Sequence, residues 1–95
     1  MNFKHLYYFW VTARIGGVNR AGQHLHVTPQ TLSVQIKLLQ ERLGCQLLER
    51  NGRNVRLTEA GRIAAGYAEQ IFTLGQQMEE ALRASRETHA APLAR

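Results

Sequence analysis

Aspartate is missing from this sequence, and all seven acidic side chains are glutamates. Chemistry that requires aspartate is therefore excluded, and no nucleophile, base and orienting group occur together. His24 and His26 stand two residues apart without a cysteine or carboxylate cluster nearby, so the sequence predicts no metal site and no cofactor. The chain is not expected to be an enzyme.

Cysteine and long apolar runs are also scarce. The single cysteine, Cys45, excludes an intrachain disulfide, and its place after a predicted helix end suggests an inert packing residue. No stretch approaches the ~18 consecutive apolar residues that a membrane span requires. The first residues lack the apolar core of a signal peptide. We therefore expect a cytoplasmic protein that does not span a membrane.

Negative charge is rare in the first two-thirds of the chain. Residues 1–66 contain nine Lys and Arg against three Glu, whereas residues 67–95 contain three Arg against four Glu. A compact basic region suggests a polyanionic partner, either nucleic acid or an anionic membrane surface. Composition alone does not choose between them.

Apolar spacing predicts two helices before residue 26. The helical pattern i, i+3, i+4, i+7 occurs at Leu6, Phe9, Trp10 and Ala13, and again at Val18, Ala21, Gly22 and Leu25. It predicts a first helix over about 3–15, which ends before Gly16-Gly17. The second helix is predicted over about 20–25, with Asn19 as its N-cap.

A third helix has a complete set of boundary signals. Thr28 suits its N-cap, Pro29 its first position and Gly44 its left-handed end. Its narrow apolar stripe consists of Leu32, Ile36, Leu39 and Leu43. About three residues separate it from the second helix, and two helices joined so tightly are typical of a helix-turn-helix.

Two short alternating runs follow the third helix. Residues 46–50 and 54–57 flank the segment Asn51-Gly52-Arg53, and Asn-Gly favours a hairpin turn. A two-stranded hairpin is unstable alone, so it must lean on the helices as a wing. The predicted fold is mainly α: a winged helix-turn-helix with a small two-stranded wing over residues 1–58.

A long helix is predicted over residues 59–87, with Thr58 as its cap. Apolar residues recur in near-heptad steps at Ile63, Tyr67, Ile71, Leu74, Met78 and Ala81. A helix this long exceeds what the rest of the domain can cover, so a second copy is its simplest partner. These six residues are the predicted dimer interface, and the Ala/Pro-containing residues 88–95 are a predicted hinge or disordered tail.

Burying the stripe of the third helix turns a polar face outward. There Gln30 can pair with an adenine edge, and Val34 can touch a thymine methyl. Arg53, at the wing tip, suits phosphate or the minor groove. The residues predicted from this pattern to contact double-stranded DNA are Gln30, Thr31, Ser33, Val34, Lys37, Arg20, Arg50, Arg53 and Arg56. The alternative is an ordinary polar helix and a solvated basic wing, with Glu49 paired to Arg50.

Together these residues resemble the LysR-type transcriptional regulators. The resemblance is carried by Leu6…Phe9…Ala13, Gly17…Ala21-Gly22…Leu25, Thr28…Leu32-Ser33-Val34-Gln35-Ile36…Leu39…Leu43-Gly44, Leu47-Leu48-Glu49-Arg50…Arg53 and Leu57-Thr58-Glu59-Ala60-Gly61. It implies a third helix in the major groove and a homodimer, often assembled into tetramers. It also implies a C-terminal effector domain of two α/β lobes, which is absent here, so the chain is expected to be a fragment.

The resemblance also implies which residues contact DNA. The family's contact positions carry over to Thr28, Pro29, Gln30, Ser33, Val34 and Arg53. Residues 5–10 and 25–31 look most like the NhaR subgroup, which is linked to sodium/proton-antiporter genes.

Four departures from the family pattern matter. The family commonly has Ser-Gln-Pro at Thr28-Pro29-Gln30 and Arg at Val34, so the expected target DNA differs and bidentate guanine reading at Val34 is impossible. Gly22 replaces a usual Ala and Leu48 a usual Phe, which is expected to affect packing only.

Two other function classes fit the sequence less well. A protein-interaction module with a winged-helix fold would not need the basic bias of residues 1–66. A small enzyme is disfavoured by the missing aspartate, His–carboxylate pair and Gly-rich phosphate loop.

Overall fold

Four helices and one hairpin make up residues 1–88, the part of the chain that the computed structural model describes. The elements are α1 (Phe3–Ile15), α2 (Val18–Leu25), α3 (Pro29–Leu43), β1 (Leu48–Asn51), β2 (Asn54–Leu57) and α4 (Glu59–Thr88). This architecture confirms the predicted fold class. Apart from Thr88, the predicted hinge or tail over 88–95 lies outside the described residues.

The join between α1 and α2 is tighter than predicted. Gly16 ends α1 in the left-handed region at φ 93°, and the extended Gly17 is the N-cap of α2. This pair turns the chain within two residues, so α2 begins at Val18. The prediction of Asn19 as the N-cap is therefore wrong, and Asn19 lies exposed in the first turn of α2.

The boundaries of α3 follow from local signals, as predicted. The Thr31 amide donates to Thr28 Oγ1 at 3.1 Å, and Gly44 ends the helix at φ 78°. Leu32, Ile36 and Leu39 are buried, whereas Leu43 is 39% exposed. The predicted apolar stripe is therefore wrong in its last member, because the chain leaves α3 at Gly44 and buries Leu47 instead.

The core lies where α1 crosses α2, α3 and the first half of α4. Its largest fully buried side chains are Phe9, Leu32, Leu39, Leu47 and Thr12. Thr12 is polar, but its hydroxyl donates to the Tyr8 carbonyl at 2.7 Å, so its burial leaves no unpaired donor.

The wing is an antiparallel pair with a two-residue turn. Leu48 pairs with Leu57 and Asn51 with Asn54, which leaves Gly52 and Arg53 as the turn. The turn therefore lies within the predicted segment Asn51-Gly52-Arg53, and Asn51 belongs to β1. Gly52 has φ 66°, and a positive φ at the first turn residue is typical of the type II′ hairpin turn, which takes glycine there.

Hydrogen bonds attach the wing to the helices, as predicted for an unstable lone hairpin. The Val55 amide donates to the Gly16 carbonyl at 2.9 Å, which fixes β2 to the end of α1. The Gln40 side-chain oxygen accepts from the amides of Leu47 at 2.8 Å and Leu48 at 3.2 Å. The wing is thus held from both α1 and α3.

Small residues allow α4 to lie close to the rest of the fold. Thr58 Oγ1 accepts from the Gly61 amide at 2.9 Å and so caps the helix as predicted. Gly61 and Ala68 are buried, and Phe72 meets the rings of Tyr7 and Trp10 at centroid distances of 5.2 and 5.3 Å. No helix within residues 1–88 has the length and hydropathy of a membrane span.

Candidate nucleic-acid interface

The outer face and first turns of α3 present the predicted contact residues together. Pro29 is half-buried at the helix start, and the others are exposed: Thr28, Gln30, Thr31, Ser33, Val34 and Lys37. They lie opposite the buried Leu32, Ile36 and Leu39, because α3 keeps the helical period of 3.6 residues. The edge of α3 is therefore free to meet another molecule.

Two hydroxyl groups at the start of α3 form a directional chain. Thr28 Oγ1 accepts from the Thr31 amide, and its own hydroxyl donates to Thr31 Oγ1 at 2.9 Å. The Thr31 hydroxyl hydrogen is then available to donate outward. A phosphate oxygen is an acceptor, so this arrangement suits a DNA backbone.

A groove of about 450 Å³ joins α3 to the wing. Arg50 and Arg53 line it from the wing, and Ser33 lines it from α3. The remaining lining residues are Val18, Asn19, Asn54 and Val55. Two arginines and the outer edge of α3 therefore share one concave basic surface. Sequence reasoning missed Asn19 and Asn54 here, because no local signal shows that α2 and β2 meet.

Arg20 has a partner within the chain. Its Nη2 donates to the Ile15 carbonyl at 3.0 Å, at the negative end of α1. The side chain remains exposed, and its contact with phosphate stays a prediction.

Arg56 lies on the other side of the wing from Arg50. Its Nε donates to Glu49 Oε2 at 2.8 Å, and the side chains are 63% and 43% exposed. The alternative pairing of Glu49 with Arg50 is wrong, because the strand register sets Glu49 opposite Arg56. The positive charge inside the groove therefore comes from Arg50 and Arg53, and a DNA contact by Arg56 stays a prediction.

Other reactive side chains do not form a site in the described part of the chain. No three His, Cys, Asp or Glu residues among residues 1–88 lie close enough to hold a metal ion. Cys45 is exposed, so the interpretation of Cys45 as a packing residue is wrong.

A second exposed surface runs along α4. The predicted dimer residues Ile63, Tyr67, Ile71, Leu74, Met78 and Ala81 are all exposed on one side of the helix. Leu82, 59% exposed, extends this stripe and was not predicted. The apolar stripe has no cover from the described residues of its own chain.

Comparison with known proteins identifies similar chains. Residues 3–62 match the family model described as the bacterial regulatory helix-turn-helix protein, lysR family. The transcriptional activator protein NhaR of Escherichia coli (strain K12) is 39% identical over 89 residues. The match covers 94% of this chain and 30% of the length of that relative. The regulator TfdT of Cupriavidus pinatubonensis is 36% identical over 91 residues, which cover 96% of this chain and 37% of TfdT.

Solved structures show the same fold bound to DNA. A crystal structure of the BenM DNA-binding domain with catB site 1 DNA has a TM-score of 0.86 and 32% identity, covering 94% of this chain and 96% of that one. A complex of the CbnR DNA-binding domain with DNA has a TM-score of 0.80 and 34% identity, covering 90% of this chain and 98% of that one.

Proposed function

This chain belongs to the lysR family of bacterial regulatory helix-turn-helix proteins, and we propose that it binds double-stranded DNA sequence-specifically as a symmetric homodimer. The observation that carries the proposal is the shared concave surface of α3 and the wing. Ser33 on α3 and the arginines Arg50 and Arg53 line one groove. In a DNA duplex the base edges of a groove lie beside the phosphates, so α3 can contact bases while the wing arginines contact phosphates. The BenM and CbnR domains, which have a similar fold, were crystallised with DNA.

Each part of the chain has one task in this proposal. Residues 1–58 form the DNA-binding unit: α3 enters the major groove and the wing arginines hold the backbone. Residues 59–87 form the dimerisation helix. Two-fold symmetry then makes the target a pseudo-palindrome of two half-sites. The dimer acts in the cytoplasm as a transcription regulator. In a longer protein of the length of the relatives, two such dimers assemble into a tetramer.

A mobility-shift titration across salt concentrations tests the proposal. Selection from a random DNA pool first supplies a site, which is expected to be dyad-symmetric. If the dimer neutralises ~6–10 phosphates, affinity falls by about 10³–10⁵ between 50 and 200 mM salt, because binding releases counterions. A flat salt response, or a pool that shows no sequence preference, would contradict sequence-specific DNA binding.

Arg53→Ala and Gln30→Ala are expected to weaken binding in different ways. Arg53 lies at the wing tip, where we propose that it holds a phosphate, so its loss should lower affinity about tenfold for selected and random DNA alike. Gln30 lies on the outer face of α3, so its loss should mainly reduce the preference for the selected site by ~1–3 kcal/mol.

The selectivity ratio, measured by mobility shift with both DNAs, separates these roles. Arg83→Ala removes an exposed arginine from the distal half of α4 and serves as the control, with no expected change. Equal effects of the two substitutions on selected and random DNA would argue against the division of roles.

A further inference from the structure

Two apolar side chains project from the outer face of α3, where exposed residues are otherwise polar. Val34 is 57% exposed, and Leu38, one helical turn later, is 47% exposed. Gln30 and Lys37 flank them on the same face and are also exposed. Since residues four apart lie one above the other on a helix, Val34 and Leu38 form a short apolar ridge.

The ridge faces bases when the wing holds the backbone. Ser33 lines the groove with Arg50 and Arg53, so that side of α3 adjoins the arginines of the wing. Val34 is the next residue and points about 100° further around the helix. It therefore lies at the centre of the face that enters the major groove, rather than at its rim.

Valine can make few favourable contacts in a major groove. It has neither donor nor acceptor, so packing it against a polar base edge leaves that edge unpaired at a cost in free energy. The apolar feature that base pairs present in the major groove is the C5-methyl group of thymine. A 5-methylcytosine carries the same group on the same ring carbon, whereas uracil and cytosine lack it.

We propose that Val34, extended by Leu38, reads the 5-methyl group of one pyrimidine in each half-site of the target DNA. The inference rests on the proposed function, because it requires α3 in the major groove. In unmodified DNA, the pyrimidine that Val34 contacts is a thymine. Removing only that methyl group is expected to weaken binding about fourfold per half-site, the equivalent of ~0.8 kcal/mol for one buried methylene-sized group.

The test replaces each thymine of a selected dyad site by deoxyuridine, one position per half-site at a time, in a mobility-shift titration of the dimer. Deoxyuridine keeps the pairing with adenine and removes the methyl group alone. We expect one symmetric pair of positions to weaken binding about fifteenfold when both half-sites are changed. A site with a C·G pair at that position should also be bound weakly. Methylating its cytosine at C5 should raise the affinity about fourfold per half-site.

Val34→Ser assigns the effect to the ridge. Serine has no methyl group and a helix propensity close to that of valine, and the site is exposed, so the fold is expected to persist. The difference between thymine and deoxyuridine should shrink to less than twofold. Lys37→Ser is the matched control on the same face, and it should weaken both DNAs equally while the difference persists.

The outcomes separate this inference from the function on which it rests. Specific binding with full tolerance of deoxyuridine at every thymine would overturn methyl reading and leave DNA binding intact. A thymine preference that survives in Val34→Ser would also overturn the assignment. If the protein without substitutions shows no sequence preference, the proposed function itself is overturned.

Discussion

Gly61→Ala is expected to destabilise the fold by about 3 kcal/mol, at the upper end of what overpacking costs. A Cβ atom on Gly61 would lie 2.0 Å from the Leu47 carbonyl oxygen and 2.9 Å from its carbon. Both atoms are backbone, so no side-chain rotation relieves the clash. The Leu47 carbonyl also accepts from the Thr58 amide at 3.0 Å, so moving it breaks the join between wing and α4.

Thermal unfolding followed by circular dichroism measures this effect. A loss of about 3 kcal/mol should lower Tm by more than ~10 °C for a domain of this size. Gly66→Ala is the matched control in the same helix, since a Cβ there meets no atom within 4 Å. It should stabilise the fold by up to ~1 kcal/mol, because alanine favours helix over glycine. An unchanged Tm in Gly61→Ala would show that Leu47 moves at little cost.

Leu74→Glu is expected to separate the dimer into monomers and to lower DNA affinity by about 10²–10⁴. Leu74 is 66% exposed in the single chain and lies mid-way along the apolar stripe of α4. Its substitution therefore leaves the monomer fold intact but places a carboxylate in the proposed interface, where desolvation is costly. Without the second copy, each half-site is bound alone and the gain from linked binding disappears.

Sedimentation velocity and a mobility-shift titration of the same samples measure both effects. Gln76→Glu is the matched control: it introduces the same side chain two residues away, on the opposite side of α4 from Leu74. It should remain a dimer and bind DNA as before. If Leu74→Glu is also a dimer, the apolar stripe is not the interface.

The length of α4 explains why this helix needs a partner. Its 30 residues span about 45 Å at 1.5 Å per residue, and its buried residues are Gly61 and Ala68, both in the first third. Gly66 and Gly75 lie in its interior, where each weakens a helix by roughly 1 kcal/mol relative to alanine. A second copy along the exposed stripe would supply the burial that the distal half lacks.

Gly22 shows how tightly the helix-turn-helix is built. A Cβ on Gly22 would lie 2.7 Å from the Val27 carbonyl oxygen, in the turn before α3. The turn also holds His26 at φ 60°, in the left-handed region. From the sequence, glycine in place of the family's usual alanine at Gly22 was expected to affect packing only. The structure shows that Gly22 contacts the turn backbone that positions α3.

Signals close together in the chain predicted the helix boundaries of α1, α3 and α4. The helix ends of α3 are set by Thr28 with Pro29 at the start and by Gly44 at the end. Each acts within one helical turn, so its effect can be predicted without knowledge of the rest of the fold. The exposed stripe of α4 and the outer face of α3 were also predicted, because helical periodicity depends only on spacing along one element.

Contacts between segments distant in the chain decided the side-chain pairing in the wing and the lining of the groove. Glu49 pairs with Arg56 because the turn at Gly52-Arg53 sets the strand register, and a shift of one residue would have changed its partner. Asn19 lines a groove with Arg50 because β2 is bonded to the end of α1. Residue type and spacing thus specify each helix and its faces, whereas which faces meet depends on packing energies summed over the whole chain.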